Sequence, residues 1–455
     1  MADSMSIAKT GIKQATQNMA TLANNMALSK SIAGRGSNYF MNAMTEGVDG
    51  TIMGVTGTLV NNISQPGKTV SVTDSLWCAA GNNGYFVVDN GFTRVGTWRF
   101  DDTGTCINHL GNQLMAYRVN ADGQKINPDN VTQTISDNTT QTYMSTINTK
   151  NLRLNATATS NITYGYQLPV NSTNIGGTVR SDVTVFDSMG NQHNLTFTFK
   201  KAEVYDAGGG THYVVPPGGT AGDITTNINA TTGCASAWYL SISSGTTGDV
   251  VNTPYTGNGM LVEFDADGNP LNFNNSTVVN TGSPVTVSAS PANLSIAYGN
   301  NSTAGNISLD LGTLGQNNGI VSRGNTAKVI NVQADGNSDG IFSSLEWTTD
   351  GYGVVTFDNN VQQKMFQIAM AYFPNSNGLA FDSNGVYKQS VDSGKPLYGV
   401  PNDGNIGPIS VSAYEESNIS AIDTQVDIID NQRFYMGQIA SFRSAKEALT
   451  ALDNL

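Results

Sequence analysis

The chain has 455 residues, room for about three domains at the usual size, and only 13% of them are charged against 38% hydrophobic and 49 glycines. Such a composition favours many short strands and tight turns and leaves little material for long solvated helices. The net charge of -13 excludes a nucleic-acid-tracking surface, which needs clustered Lys and Arg.

From Ser4 to Ser29, Met5, Ala8, Ile12, Ala15, Met19, Leu22 and Met26 step by three and four in alternation. That spacing predicts a helix with a heptad seam. Gly11 weakens it by about 1 kcal/mol against Ala, and Gly34 with Gly36 ends it. Then the texture changes. Gly84–Asp89, Val183–Phe186, Leu195–Phe199, Trp238–Ile242, Met260–Phe264 and Val354–Phe357 are short, β-branched or aromatic runs, which read as strands. Between such runs stand Asp122-Gly123, Gly190-Asn191, Asp267-Gly268 and Asp350-Gly351, pairs that accept the positive φ of hairpin turns. The stretch 157–341 is richest in Asn, Thr, Ser and Gly and poorest in charge, which marks it as an inserted β domain, with loops at 208–210 and 216–222.

From Glu415 to Leu455 there is no Pro and one Gly. Ile419, Ile422, Val426, Ile429, Met436, Ile439, Phe442, Leu449 and Leu452 lie at helical spacing, although Arg433 and Lys446 interrupt the stripe. The run predicts a helix of up to about 40 residues, or ~60 Å. Helical stripes at both ends of a strand-rich chain point to termini that pair with each other or with neighbouring copies.

Local chemistry is sparse. Cys78, Cys106 and Cys234 are odd in number and widely spaced, so they are read as free thiols, and His109, His193 and His212 are equally dispersed. Asp265-Ala-Asp267-Gly-Asn269 opens like a Ca²⁺ loop, but position six is Pro270 and position twelve is Ser276 where Glu is needed. It reads as a hairpin turn, as does 335–340. The sequence has no nucleophile elbow, no phosphate-wrapping glycine loop, no apolar run of membrane-spanning length and no cleavable signal pattern. No cofactor, metal or catalytic residue is therefore expected.

Three stretches resemble a known family. Leu22-Ala-Asn24-Asn25-Met-Ala27 is similar to an L-x-x-N-N-x-A helix end. Gly84-Tyr-Phe86-Val-Val, then Thr93-Arg94-Val-Gly96, Asp101 and Gly104, follows a G-F-F-x-V…T-R-x-G pattern. Glu416-Ser417-Asn418-Ile419 and Asn431-Gln432-Arg433-Phe-Tyr435 are similar to paired S-N-V and Q-R-x-Y signatures. These belong to the bacterial flagellar axial group of rod, hook and hook-associated proteins. Val185-Phe-Asp187-Ser-Met-Gly190-Asn191-Gln-His193 narrows the resemblance to the hook family, whose V-Y-D-S-x-G-N-x-H turn it matches. The chain departs from the pattern at Leu28, usually Asn, and at Ser31–Arg35, which lacks the family's aromatic.

The resemblance implies a discontinuous, concentric fold, mainly β with terminal α-helices. Residues 1–70 and 410–455 would form a helical polymerisation domain pairing as an inner coiled-coil layer. Residues 71–156 and 342–409 would form a middle β domain, and 157–341 an outer one. It implies a structural subunit that polymerises into the curved tubular hook and carries torque from motor to filament. It further implies export through the flagellar type III apparatus, and as partners other copies, the distal rod, the hook cap and the hook-filament junction protein, with neither nucleic acid nor membrane insertion. A secreted β-rich adhesin or carbohydrate-binding protein is the alternative, which apolar stripes at both termini disfavour. An enzyme built on distant carboxylates, which leave no motif, is the third reading.

Overall fold

The computed structural model describes residues 2–46, 51–127, 130–134, 143–150, 152–171, 173–206, 208, 212–219, 228–253, 259–274 and 292–453. The expected loop positions 209–210 and 220–222 lie outside them. The chain divides into two compact units: Met1–Leu152 with Phe342–Leu455, and Arg153–Ile341.

In the first unit, helix α1 (Ala2–Leu28) lies antiparallel to helix α2 (Ala421–Asp453), with Asn18 and Ala15 meeting Asn431 across the pair. Helix α2 is shorter than the sequence stripe predicts. It begins only after Ser420, whose carbonyl takes the Thr424 N–H and whose hydroxyl takes that of Asp423. Glu415 instead sits in the short strand Ala413–Glu415, paired with Thr69–Ser71. Its carboxylate is held in the interior, and that fixes the backbone in an extended form until a cap can start the helix.

Between α1 and the β region runs a hairpin, Ser37–Glu46 against Thr51–Asn61. The Tyr39 hydroxyl bonds Gln14 and Gln17, and Val55 N–H donates to Thr10 Oγ1 at 3.0 Å, so the hairpin lies along α1. A six-stranded sheet then orders Ala380–Phe381, Tyr387–Lys388, Gly91–Thr93, Tyr85–Val88, Met370–Tyr372 and Leu397–Gly399. Its core is aromatic: Tyr85 and Phe92 each meet Phe373 edge-on at 5.7 and 4.8 Å, a favoured geometry for ring quadrupoles.

The second unit is a β-sandwich. One sheet carries Thr178–Phe186, Gln192–Asp206, Ser236–Ser244 and Met260–Phe264 side by side, and the other centres on Asn161–Leu168, Ala292–Ala297 and Gly305–Asp310. Along Gln192–Asp206, His193, Leu195, Phe197 and Phe199 point inward while Gln192, Asn194 and Thr196 do not, the period of two that a half-buried strand needs. Tyr164 stacks on Phe197 at 4.4 Å across the core. All four expected Gly turn positions, 123, 190, 268 and 351, have positive φ.

Candidate self-assembly surface and its anchor

Of the α1 seam, Ala8, Ala15 and Leu22 are buried, while Met5, Ile12, Met19 and Met26 are half-buried. Of the apolar stripe of α2, Phe442 alone falls among the residues turned toward α1; the others there are not stripe positions. Thr424 and Asn431 are buried, and Ile428, Tyr435, Gln438 and Phe442 half-buried; they step four, three, four, three and four. This seam is mixed, with Thr424, Asn431 and Gln438 among Ile428, Tyr435 and Phe442. Asn431 Nδ2 donates to the Ala15 carbonyl at 2.8 Å and Asn18 Nδ2 to Asn431 Oδ1 at 3.2 Å. Gln438 packs close to Gly11: a Cβ there would stand 2.8 Å from Gln438 Oε1, so the Gln438 side chain would have to shift to admit one.

At about 100° per residue, Ile422, Val426, Ile429 and Met436 fall on the side of α2 opposite α1. They are 76%, 52%, 44% and 64% exposed. Leu449 is 37% exposed and Ile439 half-buried, and the side chain of Leu452 lies outside the described residues. Ile419, just before the helix, packs against Gly36. Gln432 and Arg433 are exposed, and Arg433 faces Asp430 only loosely at 3.6 Å.

The paired asparagines and the Ser-Asn motif stitch the chain ends together. Asn25 Nδ2 donates to the Ser37 carbonyl at 2.8 Å and its Oδ1 accepts the Ser37 N–H at 3.0 Å, which turns the chain from α1 into the hairpin. Asn418 Oδ1 accepts the Gly36 N–H at 2.9 Å, while its Nδ2 donates to the carbonyls of Asn62 and Gln65. Ser417 Oγ accepts the Ile419 N–H at 3.2 Å, and Asn24 is exposed.

Beneath these contacts lies a buried charge cluster. Arg35 Nη2 meets Glu415 Oε1 at 2.6 Å and Arg94 Nε meets Oε2 at 2.7 Å, with all three side chains at most 3% exposed. Arg94 also donates to the carbonyls of Ala80, Asn82 and Gly84, and Arg35 to that of Ile63. Glu415 Oε1 takes the Gly67 N–H as well, at 2.7 Å. One carboxylate thus joins the start of the hairpin, the strand region and the approach to α2. Of these, sequence reading singles out Arg94 and misses Arg35 and Glu415. The available signal was an arginine inside an otherwise apolar strand motif, which demands a buried carboxylate. Nearby, Phe86 packs edge-on against Trp98 at 5.5 Å, and Gly96 admits no side chain because a Cβ would lie 1.6 Å from the Cys78 carbonyl oxygen.

In the second unit the Asp187–His193 motif forms its own buried node. Asp187 Oδ1 accepts the N–H groups of Met189 and Asn191 at 2.8 and 2.9 Å, shaping the turn that Gly190 completes at φ 81°. His193 contacts Asp249 through Nδ1 at 2.7 Å and Asp187 through Nε2 at 3.3 Å. Burial opposes charge on Asp187, but hydrogen bonds from Asn300, Asn191 and His193 prevail and hold its carboxyl well below the ordinary carboxylate range. The Asp265 turn is a hairpin in which Arg323 donates to the Asp267 carbonyl and to Asn269 Oδ1, the cation of the protein's own making. Among the described residues no group of three His, Cys, Asp or Glu side chains is placed to hold a metal ion. All three cysteines are free and buried.

Residues 154–337 match the family model described as the flagellar basal body protein FlaE D2 domain. Similarity to curated proteins extends over nearly the whole chain. It is 25% identical over 454 residues to the flagellar hook protein FlgE of Rhizobium meliloti (strain 1021), covering 98% of this chain and 97% of that protein. To the flagellar hook protein FlgE of Salmonella typhimurium it is 26% identical over 469 residues, covering 99% and 100%. Along nearly its whole length the chain is similar to flagellar hook proteins. The stretches that resemble the axial group coincide with the stitching residues Asn25, Asn418 and Asn431 and with the anchor residue Arg94, and the hook-like motif coincides with the Asp187 turn. Among the described residues no helix is long and apolar enough to cross a membrane.

Proposed function

We propose that this chain is the building block of the flagellar hook, a structural subunit that self-assembles outside the cell into a curved tube and transmits torque from motor to filament. The observation that carries the reading is end-to-end similarity to flagellar hook proteins, joined to a terminal helix whose apolar residues Ile422, Val426, Ile429 and Met436 are exposed among the described residues. A tube needs a heterologous contact that propagates instead of closing, and an exposed apolar stripe on a helix already held in register supplies one side of it.

In this reading residues 1–70 and 410–455 form the inner layer, 71–156 with 342–409 the middle layer and 157–341 the outer one. The subunit takes its place in the assembly of basal body, hook and filament, meeting the distal rod, the hook cap during growth and the hook-filament junction protein after travelling through the type III export channel. Its work is mechanical, with no bond made or broken. Electron microscopy of the purified protein tests the proposal. Tubes or hook-like curved assemblies above a critical concentration are expected, and a monomer that persists at all concentrations and binds glycans would refute it.

A further inference from the structure

Beside the last turns of α1 the first unit holds a cleft of about 890 Å³. Leu59, Leu110 and Phe381 line it and are 54%, 38% and 60% exposed. In a chain of net charge -13, the charged side chains among the described lining residues are Lys30, Arg35 and Arg94, and no carboxylate is among them. Arg35 and Arg94 share the single carboxylate of Glu415, so the floor of the cleft keeps an excess of positive charge. The cleft therefore suits an occupant that is apolar along one line and acidic beside it.

The outward face of α2 has that pattern. Ile422, Val426 and Ile429 form the exposed stripe, and at about 100° per residue the exposed Asp423 and Asp430 fall along one flank of it. No residue of α2 lines the cleft of its own chain. We propose that the cleft receives the segment Ile422–Asp430 of a second copy. The inference rests on the self-assembly reading and names its contact. Groove and ridge are different surfaces of one unit, so each bound copy leaves one of each free and the contact propagates. Apolar burial at the centre with opposite charges at the rim is the usual anatomy of such an interface, the charges serving mainly to speed and orient encounter.

Because the native thiols are buried, introduced cysteines report alone. Full-length Leu110→Cys and Val426→Cys subunits are mixed, polymerised and treated with a short flexible bismaleimide. Covalent mixed dimers are expected from tubes and not from monomers, while Val391→Cys, a 99% exposed position on the same unit, should give none with Val426→Cys. Charge is tested separately. Lys30→Glu or Asp430→Lys should each slow elongation about two- to fivefold, as for solvent-exposed ion pairs, and the double variant should recover most of the loss. Tubes that yield no Leu110–Val426 adduct, or as much with Val391, overturn the proposal and leave the assembly reading standing, as does a double variant as slow as the product of the singles. Wild-type protein that forms no tubes overturns the assembly reading itself.

Discussion

Replacing Glu415 by Gln removes the one carboxylate between two buried guanidinium groups while preserving size. In the wild type, Arg35 and Arg94 reach its two oxygens at 2.6 and 2.7 Å, and neither arginine has more than 3% of its side chain exposed. A Gln amide can keep one acceptor, but its NH2 then faces an N–H donor, and both positive charges stay buried without a counter-charge. Breaking a buried ion pair in this way costs about 3–5 kcal/mol, a large share of the 5–15 kcal/mol that typically holds a domain together. At about 2–4 °C per kcal/mol for units of this size, the transition of the first unit should fall by on the order of 10 °C. Differential scanning calorimetry of the full chain reads this directly, because the transition of residues 153–341 serves as an internal reference and should not move. A second variant separates charge from hydrogen bonding. Arg35→Met with Arg94→Met and Glu415→Leu removes every charge, yet strands the carbonyls of Ala80, Asn82, Gly84 and Ile63, each stranded group costing about 1–3 kcal/mol. It should therefore remain less stable than wild type. A Glu415→Gln transition within about 1 °C of wild type, far short of the shift worked from the ion-pair cost, would refute the charge argument, and a fully stable triple variant would refute the carbonyl argument.

Three further outcomes are expected. Asp187, held below its ordinary value by its hydrogen bonds, contributes stability that is complete above the unfolded value near 3.9 and disappears as pH falls through the depressed folded value; Asp187→Asn should melt lower at pH 6 and lose less on acidification, and parallel melting curves would contradict this. Burial pushes the thiols of Cys78 and Cys234 up to about 12 and that of Cys106 higher than its ordinary value as well, so none should react with a thiol reagent at pH 8 until denaturant is added; a stoichiometric Cys78–Cys106 bridge by non-reducing mass spectrometry would overturn that reading. Ile429→Asp should abolish tube formation with both calorimetric transitions unchanged, since burying a full Ile is worth about 1.5–3 kcal/mol and an unpaired carboxylate adds a further desolvation cost; an unchanged critical concentration by sedimentation would remove the α2 stripe from the assembly contact.

What could be read along the chain was local. The Asp-Gly and Gly-Asn turns at 123, 190, 268 and 351 follow from the conformational freedom of one residue each. The α1 seam follows from heptad spacing, and its Ala8, Ala15 and Leu22 are indeed interior. Residues 37–61 gave no comparable sign, because a hairpin with Gly54, Gly57 and exposed Phe40 and Met44 lacks a clean alternation, and Tyr39 finds its partners only on a helix already in place. The Arg35–Glu415 pair spans 380 positions, and nothing near either residue announces the other. Helix α2 was the instructive case. Apolar periodicity picks out Ile422, Val426, Ile429 and Met436, yet the face that pairs within the chain is Thr424, Ile428, Asn431, Tyr435, Gln438 and Phe442, whose polar members hide a seam as regular as any heptad.

That division of labour on one helix bears on how the subunit works. A polar residue in a helix–helix seam fixes register at a cost in stability, and Asn431 does this through the Ala15 carbonyl and Asn18. Thr424, Asn431 and Gln438 take up half of the α2 side of that seam, so α1 and α2 of one copy gain less from it than a fully apolar seam would give. The exposed Ile422, Val426, Ile429 and Met436 point away, so in the proposed assembly further burial for these helices would come when another copy covers them. Ordering of the termini and growth of the polymer are then one event. A seam that was apolar and a stripe that was polar would reverse this: the subunit would be complete alone and would have no reason to add to a tube. The second unit, Arg153–Ile341, follows the opposite rule, with Phe197, Phe199 and Trp238 fully enclosed, so it reaches its stability within one chain. In the proposed tube its polar, weakly charged exterior would make wet contacts that can shift as the tube bends, while the terminal helices would keep the apolar contact that must persist.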